Sequence, residues 1–277
     1  MQAFVIDRYK GELAQREMPS PVPGPGDVVV AIHAASVNPL DLKIRDGEFK
    51  LPLVALTAWQ ALAERAQVKQ GQNVLIHAGS GGVGTLAIQL AKHLGATVAT
   101  TAGTPNISLV KSLGADIVID YRKDDFAKRL AGYDVVLNSL GADVLQESMS
   151  VLKPGGKLIS ISGPPDPAFA REIGANWVVR LLLRLLSSNV RRKAKKRGID
   201  YSFLFMRADG AELAQIAELV DSGVIRPVID QVFPFERIPD AMARVQSGRA
   251  RGKVIVAMST RACHVKELLS RDGTAHA

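Results

Sequence analysis

A single cysteine, Cys263, is the first scarcity in this chain. Without a second thiol there is no intramolecular disulfide and no cysteine-based structural zinc site. The five histidines, His33, His77, His93, His264 and His276, show no paired spacing, so the ligand supply argues against a metal centre. Also missing is any run of the roughly 18 uninterrupted apolar residues that a membrane span requires. Met1 to Tyr9 lacks the basic start and apolar core of a signal peptide. These absences lead to the expectation of an ordinary globular, cytoplasmic protein without a metal. With 277 residues, 47% of them hydrophobic, the chain can bury the core of one large or two modest domains.

Acids are missing from one stretch in particular. Between Ile173 and Arg197 stand Arg180, Arg184, Arg191, Arg192, Lys193, Lys195, Lys196 and Arg197 with no Asp or Glu, so this segment alone accounts for the formal net charge of +8. The basicity is local and says little about a general affinity for polyanions. Leu181, Leu182, Leu185 and Leu186 lie among those cations. Residues 175–197 therefore read as a solvated surface helix that buries a leucine stripe, with nucleic-acid or anionic-membrane contact as the alternative.

What is present is organised around Asn73-Val74-Leu75-Ile76-His77-Ala78-Gly79-Ser80-Gly81-Gly82-Val83-Gly84. An apolar run closes on a glycine-rich turn, and Leu86, Leu90 and Leu94 then share one helical face, so the stretch reads as strand, tight turn, helix. Counted from Ala78 the pattern is A-x-x-G-x-x-G. Gly81 can let a pyrophosphate approach the backbone, Gly84 can let helix and strand pack closely, and Gly79, Ser80, Gly82 and Val83 complete the turn at a helix start whose amides face an anion.

Strands and helices alternate beyond it, as in a parallel sheet covered on both faces. Strands are predicted at 97–101, 117–120, 133–138, 157–161 and 199–206. Helices are predicted over 57–66, with Trp59 and Leu62 on the apolar side, from Thr104 as cap with Pro105 following, and over 142–152. Another starts at Asp209 and Glu212 as a capping box, with Leu213, Ile216 and Val220 facing inward. Residues 1 to 50 read as β-rich, with strands at 3–7 and 27–35. The chain returns to β structure from Ile225, with strands at 231–235 and 253–257.

An NAD-preferring Rossmann unit carries an acid at the end of its second strand. Here Thr100-Thr101-Ala102-Gly103-Thr104-Pro105-Asn106 is uncharged. Donors around Thr101, Gly103 and Thr104 would receive a phosphate where a carboxylate would repel it, which points to NADP(H). No arginine follows that strand directly, leaving Lys111, Tyr121 and Arg122 as candidates for the positive partner. His77, at a strand end, reads as a structural residue beside the cofactor.

Several segments together resemble the zinc-independent medium-chain dehydrogenase/reductase family, in its quinone oxidoreductase branch. They are 55–62 (ALTAWQAL), the glycine turn, Leu113-Gly114-Ala115-Asp116, Val118-Ile119-Asp120-Tyr121, Leu152-Lys153-Pro154-Gly155-Gly156 and 248–254 (GRARGKV). The resemblance covers residues 1 to about 258. It implies an α/β chain with a doubly wound parallel Rossmann sheet and a GroES-like, β-rich catalytic domain, here truncated. Its boundaries would be 1–55 for the first part of that domain, 56–225 for the NADP-binding domain, 226–258 for the return to the catalytic domain, and 259–277 for a polar tail. In the family, most of the GroES-like barrel separates the equivalents of Lys50 and Leu51; in this sequence the two abut.

The implied activity is hydride transfer from NADPH to quinones or α,β-unsaturated carbonyls by a homodimer. Asn38 and Asp41 would face nicotinamide and substrate, Asn38 donating to the acceptor oxygen and Asp41 or water settling the proton. Residues 138–141, Leu140 included, and Ile161 to Gly163 would border the nicotinamide ribose. Tyr121 would lie by the adenosine phosphate, and Phe203, Phe205 and Lys253 by the cofactor cleft. The shortened barrel motivates an alternative, an NADP(H)-binding protein without turnover.

Overall fold

Why the middle of the chain folds as a layered sheet is visible in one strand. Along Asn73–Ile76, successive side chains point to opposite faces, and Val74 and Ile76 enter one buried cluster while Leu75 enters another. A strand apolar on both faces must be covered on both, and helices on either side do this. A computed structural model describes residues 1–5, 12–20, 22–24, 32, 34–37 and 54–258. They divide into two units, Leu53–Pro227 and Met1–Pro52 with Val228–Ala277.

In the second of these units β1 (Gln2–Val5) pairs antiparallel with β2 (Ala14–Glu17), while β3 (Ala34–Val37) joins a separate sheet considered below. The predicted strand over 27–35 falls mostly outside the described residues, as do Asn38, Asp41 and the junction of Lys50 with Leu51.

The Leu53–Pro227 unit opens with α1 (Val54–Trp59), which runs on as a π-helical segment, Gln60–Arg65. The sequence predicts one helix here, and its wider second half opens on Gln60. That side chain is fully buried: its amide nitrogen donates to Arg207 O and Glu212 Oε2, and its oxygen accepts from Arg207 N. Six strands follow: β4 (Asn73–Ile76), β5 (Thr97–Ala102), β6 (Ile117–Asp120), β7 (Tyr133–Asn138), β8 (Leu152–Ser160) and β9 (Asp200–Phe203). All pair in parallel, in the order β6-β5-β4-β7-β8-β9. In sequence rank this is 3-2-1-4-5-6, the doubly wound order whose direction reverses between the first and fourth strands and opens a crevice at their carboxyl ends.

The covering helices are α2 (Gly82–His93), α3 (Ile107–Ser112), α4 (Phe126–Arg129), α5 (Ala142–Val151), α6 (Pro167–Glu172), α7 (Trp177–Leu186), α8 (Ser188–Lys196) and α9 (Gly210–Asp221). Ala87, Ile88, Leu90 and Ala91 of α2 pack with Val74, Ile76, Val98 and Leu137 on one face. Leu145 and Met149 of α5 pack with Leu75, Val136 and Leu158 on the other.

Some local expectations differ from what forms. Thr104 does not cap a helix. Gly103 occupies that position before a 3-10 turn, Thr104–Asn106, and the Thr104 hydroxyl donates instead to Asp120 Oδ2. Asp209 caps α9 by accepting from Ala211 and Glu212 N–H, but Glu212 turns to Gln60 and Arg207, so the return half of the box is missing. The inward stripe of α9 is Ile216 with Leu219 and Val220, and Leu213 lies exposed, one turn short of the core.

The other unit continues with β10 (Ile229–Pro234), α10 (Ile238–Gln246) and β11 (Lys253–Ala257). Here β11 is central, parallel to β10 and antiparallel to β3. Phe233, Ala241, Val245, Val254 and Val256 form its core, and Arg244 clamps Asp230 through two hydrogen bonds of 2.8 and 3.0 Å.

Candidate functional site

The carboxyl end of β4 meets the switch in strand order, and the glycine turn sits there. His77 N donates to Leu137 O of β7 and Gly79 N to Thr101 O of β5, so the turn is stitched to both neighbouring strands. Ala78 between them is left-handed, with φ of 52°. A residue with a Cβ tolerates that conformation at a cost of roughly 1–2 kcal/mol. Its amide is held by Thr101 Oγ1 at 3.1 Å, and its carbonyl accepts from Gly81 N at 2.9 Å.

Packing decides which glycines the turn needs. A Cβ on Gly84 would lie 2.3 Å from Ala78 O and 2.6 Å from Gly79 Cα; one on Gly79 would lie 2.1 Å from Thr100 Oγ1. Gly81 is different, since its Cβ would meet only Ala78 O, at 3.2 Å. Thus Gly79 and Gly84 are glycine for close packing, while the fold leaves room at Gly81.

Gly81 is extended, with φ −80° and ψ 172°, and no side chain caps α2. The first intrahelical bond runs from Thr85 N to Gly81 O, so the amides of Gly82, Val83 and Gly84 have no acceptor within the helix. A twelve-residue helix with a bare amino end at the mouth of a parallel sheet is suited to an anion such as a diphosphate.

Beside it lies a crevice of about 510 Å³, bordered among others by His77, Thr101, Tyr121, Arg122, Phe126, Leu140 and Val144. That volume is in the range of small-molecule sites, roughly 300–1,000 Å³. At its base the His77 ring is buried, edge-on to Phe126, with Nε2 2.9 Å from Ser148 Oγ and Nδ1 3.2 Å from Thr101 Oγ1. Ser148 gives its one hydroxyl proton to Val144 O, so Nε2 carries the imidazole proton and Nδ1 accepts from Thr101. Burial pushes the His77 pKa down to about 4, which keeps the ring neutral at physiological pH. The expected structural role of His77 agrees with this arrangement. The Thr101 hydroxyl is thereby committed inward: it accepts from Ala78 N and gives its proton to His77.

At the rim of β5, Gly103 faces Tyr121 and Arg122. A Cβ there would lie 3.3 Å from the Tyr121 hydroxyl and 3.6 Å from Arg122 Nε. The Arg122 guanidinium carbon stands 5.9 Å from the centroid of the exposed Tyr121 ring. Asp120 Oδ1 accepts from the Arg122 backbone N–H. The Thr104 hydroxyl first, then the Arg122 N–H and nearby positive charge, hold its carboxyl below the usual range against the opposing effect of desolvation. Asn106 Nδ2 donates to Ser80 Oγ at 3.0 Å, and the other end of this amide, Oδ1, is buried without a partner among the described residues. One end of this amide, in either orientation, is left for a polar partner. Nothing in the sequence pairs Asn106 with Ser80 or Ser148 with His77, because loop conformation and helix phase alone bring them together.

The remaining candidates lie at the ends of β7, β8 and β9, with Lys253 in the other unit. Asn138 is fully buried, exchanging hydrogen bonds with both Leu140 N and Leu140 O, and its backbone oxygen accepts from Ile161 N. Gly163 N donates to Ser160 Oγ, and a Cβ on Gly163 would lie 2.5 Å from that atom. Phe203 and Phe205 both contact the Phe169 ring, with centroids 5.1 and 5.8 Å away. Lys253 opens β11 in the other unit. Asn38 and Asp41 lie outside the described residues.

Comparison with known proteins agrees with this geometry. A sequence profile described as zinc-binding dehydrogenase matches residues 113–256. The mitochondrial NAD(P)H oxidoreductase RTN4IP1 of Danio rerio is 34% identical over 240 residues, covering 83% of this chain and 61% of its own length. A chloroplastic NADPH-dependent alkenal/one oxidoreductase of Arabidopsis thaliana is 34% identical over 210 residues, 74% of this chain and 45% of that protein. The chain thus spans about three fifths or less of these relatives. Among solved structures, the quinone oxidoreductase of Coxiella burnetii superposes with a TM-score of 0.78 at 26% identity, over 94% of this chain and 99% of that one. Among the described residues no three His, Cys, Asp or Glu side chains converge as a metal would require. On the strength of the matched profile and the shared fold, the chain belongs to the zinc-binding dehydrogenase family of medium-chain dehydrogenases/reductases.

Proposed function

We propose that this chain is an NADPH-dependent oxidoreductase that delivers hydride to quinones or α,β-unsaturated carbonyls. The observation that carries the reading is the uncapped amino end of α2 at the switch point of the sheet, beside a turn whose Gly79 and Gly84 leave space only for backbone. The names of the Arabidopsis and Coxiella relatives, an alkenal/one reductase and a quinone oxidoreductase, support the substrate class. When bound, the nicotinamide supplies the hydride; the protein's part is orientation, polarisation and exclusion of water.

In this reading the amides of Gly82, Val83 and Gly84 hold the diphosphate. Ser80, Asn106, Tyr121 and Arg122 surround the adenosine end, and Asn138, Leu140, Ile161, Gly163, Phe203 and Phe205 border the nicotinamide half. Asn38 donates to the acceptor oxygen and Asp41 or water settles the later proton. Stopped-flow absorbance of NADPH mixed with a simple quinone or enone, alongside an equilibrium titration, tests the proposal. Binding with oxidation supports it. Binding without oxidation transfers support to a cofactor-binding protein without turnover, the reading motivated by the shortened barrel, and absence of binding defeats both.

Preference for the extra phosphate follows from Arg122, the cation that reaches the Gly103 rim. Replacing it as Arg122→Gln is expected to weaken NADPH about tenfold, near 1.4 kcal/mol, because a charge-assisted contact is lost. NADH affinity should not change. Equal weakening of both cofactors, read by fluorescence titration, would remove Arg122 from the phosphate site.

A further inference from the structure

The acid-free segment does not bury its leucines. It forms two helices broken at the buried Ser187, and in the first, α7, no side chain is buried. Trp177 is 76% exposed, Leu182 53%, Leu185 60% and Leu186 66%. Val178, Val179 and Leu181 are exposed as well, leaving Leu183 alone half-covered. By contrast α8 is anchored, with Ala194 buried and Val190 packed on the sheet's second core cluster. The expected inward leucine stripe is therefore corrected: the sheet is already sealed by α8, and α7 stands outside that layer. Seven exposed large apolar side chains on one ten-residue helix mark an interaction site.

Charge indicates what covers it. A groove of about 590 Å³ runs beside α7, lined by Trp177 and Leu181 with Arg171, Arg180, Arg184 and Arg191. Among the described residues none of these four arginines is ion-paired. Their recorded hydrogen bonds run to Ala175 O from Arg180, and to Ser187 Oγ and Arg184 O from Arg191. Lys195, Lys196 and Arg197 extend the positive field along α8. A second copy of this chain would bring like charges together and is disfavoured. A bilayer with anionic headgroups offers both complements, acyl carbon for the leucines and tryptophan, and phosphates for guanidinium groups on flexible stems.

We propose that α7 is a peripheral membrane-docking helix that lies in the interface of an anionic phospholipid bilayer, with its groove arginines on lipid phosphates. This surface is separate from the glycine-turn site, and the inference does not depend on the proposed chemistry. The test is flotation of the full chain with vesicles of phosphatidylcholine alone or mixed with phosphatidylglycerol, together with tryptophan fluorescence and sedimentation. Retention on the anionic vesicles should exceed that on neutral ones by about tenfold and fall with salt. The emission should shift to the blue, and Trp177→Phe should abolish the shift, since Trp59 is packed against the core. Leu182→Gln with Leu185→Gln should reduce retention about tenfold at an unchanged melting temperature, both side chains being exposed. Failure to float with anionic vesicles overturns the proposal. So does self-association that shields Trp177, or retention of RNA in place of vesicles.

Discussion

Gly84→Ala is expected to cost about 3 kcal/mol of stability or more, whereas Gly81→Ala three residues earlier costs about 1. The difference is steric. A methyl on Gly84 would enter the turn between Ala78 O at 2.3 Å and Gly79 Cα at 2.6 Å, both backbone atoms stitched to β5 and unable to swing aside. At Gly81 the contact is a single oxygen at 3.2 Å, and φ of −80° suits any residue. The functional effect runs in the opposite direction. A methyl at Gly81 stands at the mouth of α2, where a diphosphate would approach, so NADPH affinity should fall by at least about thirtyfold, near 2 kcal/mol, in a protein that still melts cooperatively. Chemical denaturation and cofactor titration of the two variants give the result. If Gly81→Ala binds NADPH as the parent does, the diphosphate does not sit on these amides and the proposed function loses its support.

The contrast also shows which part of the site was legible in the sequence. An apolar run ending in glycines identifies β4, the turn and α2, because a doubly covered sheet leaves an unbroken apolar pattern, and β6, β7 and β11 have the predicted limits. Side-chain polarity was less informative. Thr101 and Thr104 look like free donors at a strand end, yet one serves Ala78 and His77 and the other Asp120. A hydroxyl can satisfy either a ligand or a neighbour 16 or 24 residues away along the chain, and only the folded geometry chooses. The basic segment misled for a related reason. Leucines at helical spacing imply burial only if another layer remains to be covered, and α8 had already taken that place.

His77 makes the second large effect, a loss of stability in mild acid. Its imidazole has pKa about 4 in the folded protein against 6.5 unperturbed, because burial penalises the charged ring. Above pH 6.5 both folded and unfolded chains hold it neutral, and it contributes no pH dependence. As pH falls from 6.5 towards 4, the unfolded chain takes up a proton that the folded chain refuses, so stability falls. The full difference is about 3 kcal/mol, a large fraction of a typical domain's reserve. The buried contacts give the reason: Nε2–H is already donated to Ser148 Oγ, and Nδ1 receives the Thr101 hydroxyl proton, so a second ring proton has no acceptor unless that hydroxyl reverses. Reversal would make Thr101 Oγ1 accept from both the ring and Ala78 N, and its own proton would lose its acceptor in the network that steadies the left-handed turn. Acid should therefore loosen the glycine turn along with the fold. His77→Gln should be less stable than the parent near neutrality, having lost a satisfied ring, but its denaturation free energy should fall less steeply between pH 6.5 and 4, and the two curves should converge. Parallel curves for parent and variant across that window would show that His77 takes up its proton as readily folded as unfolded, and would contradict the closed network at the base of the crevice.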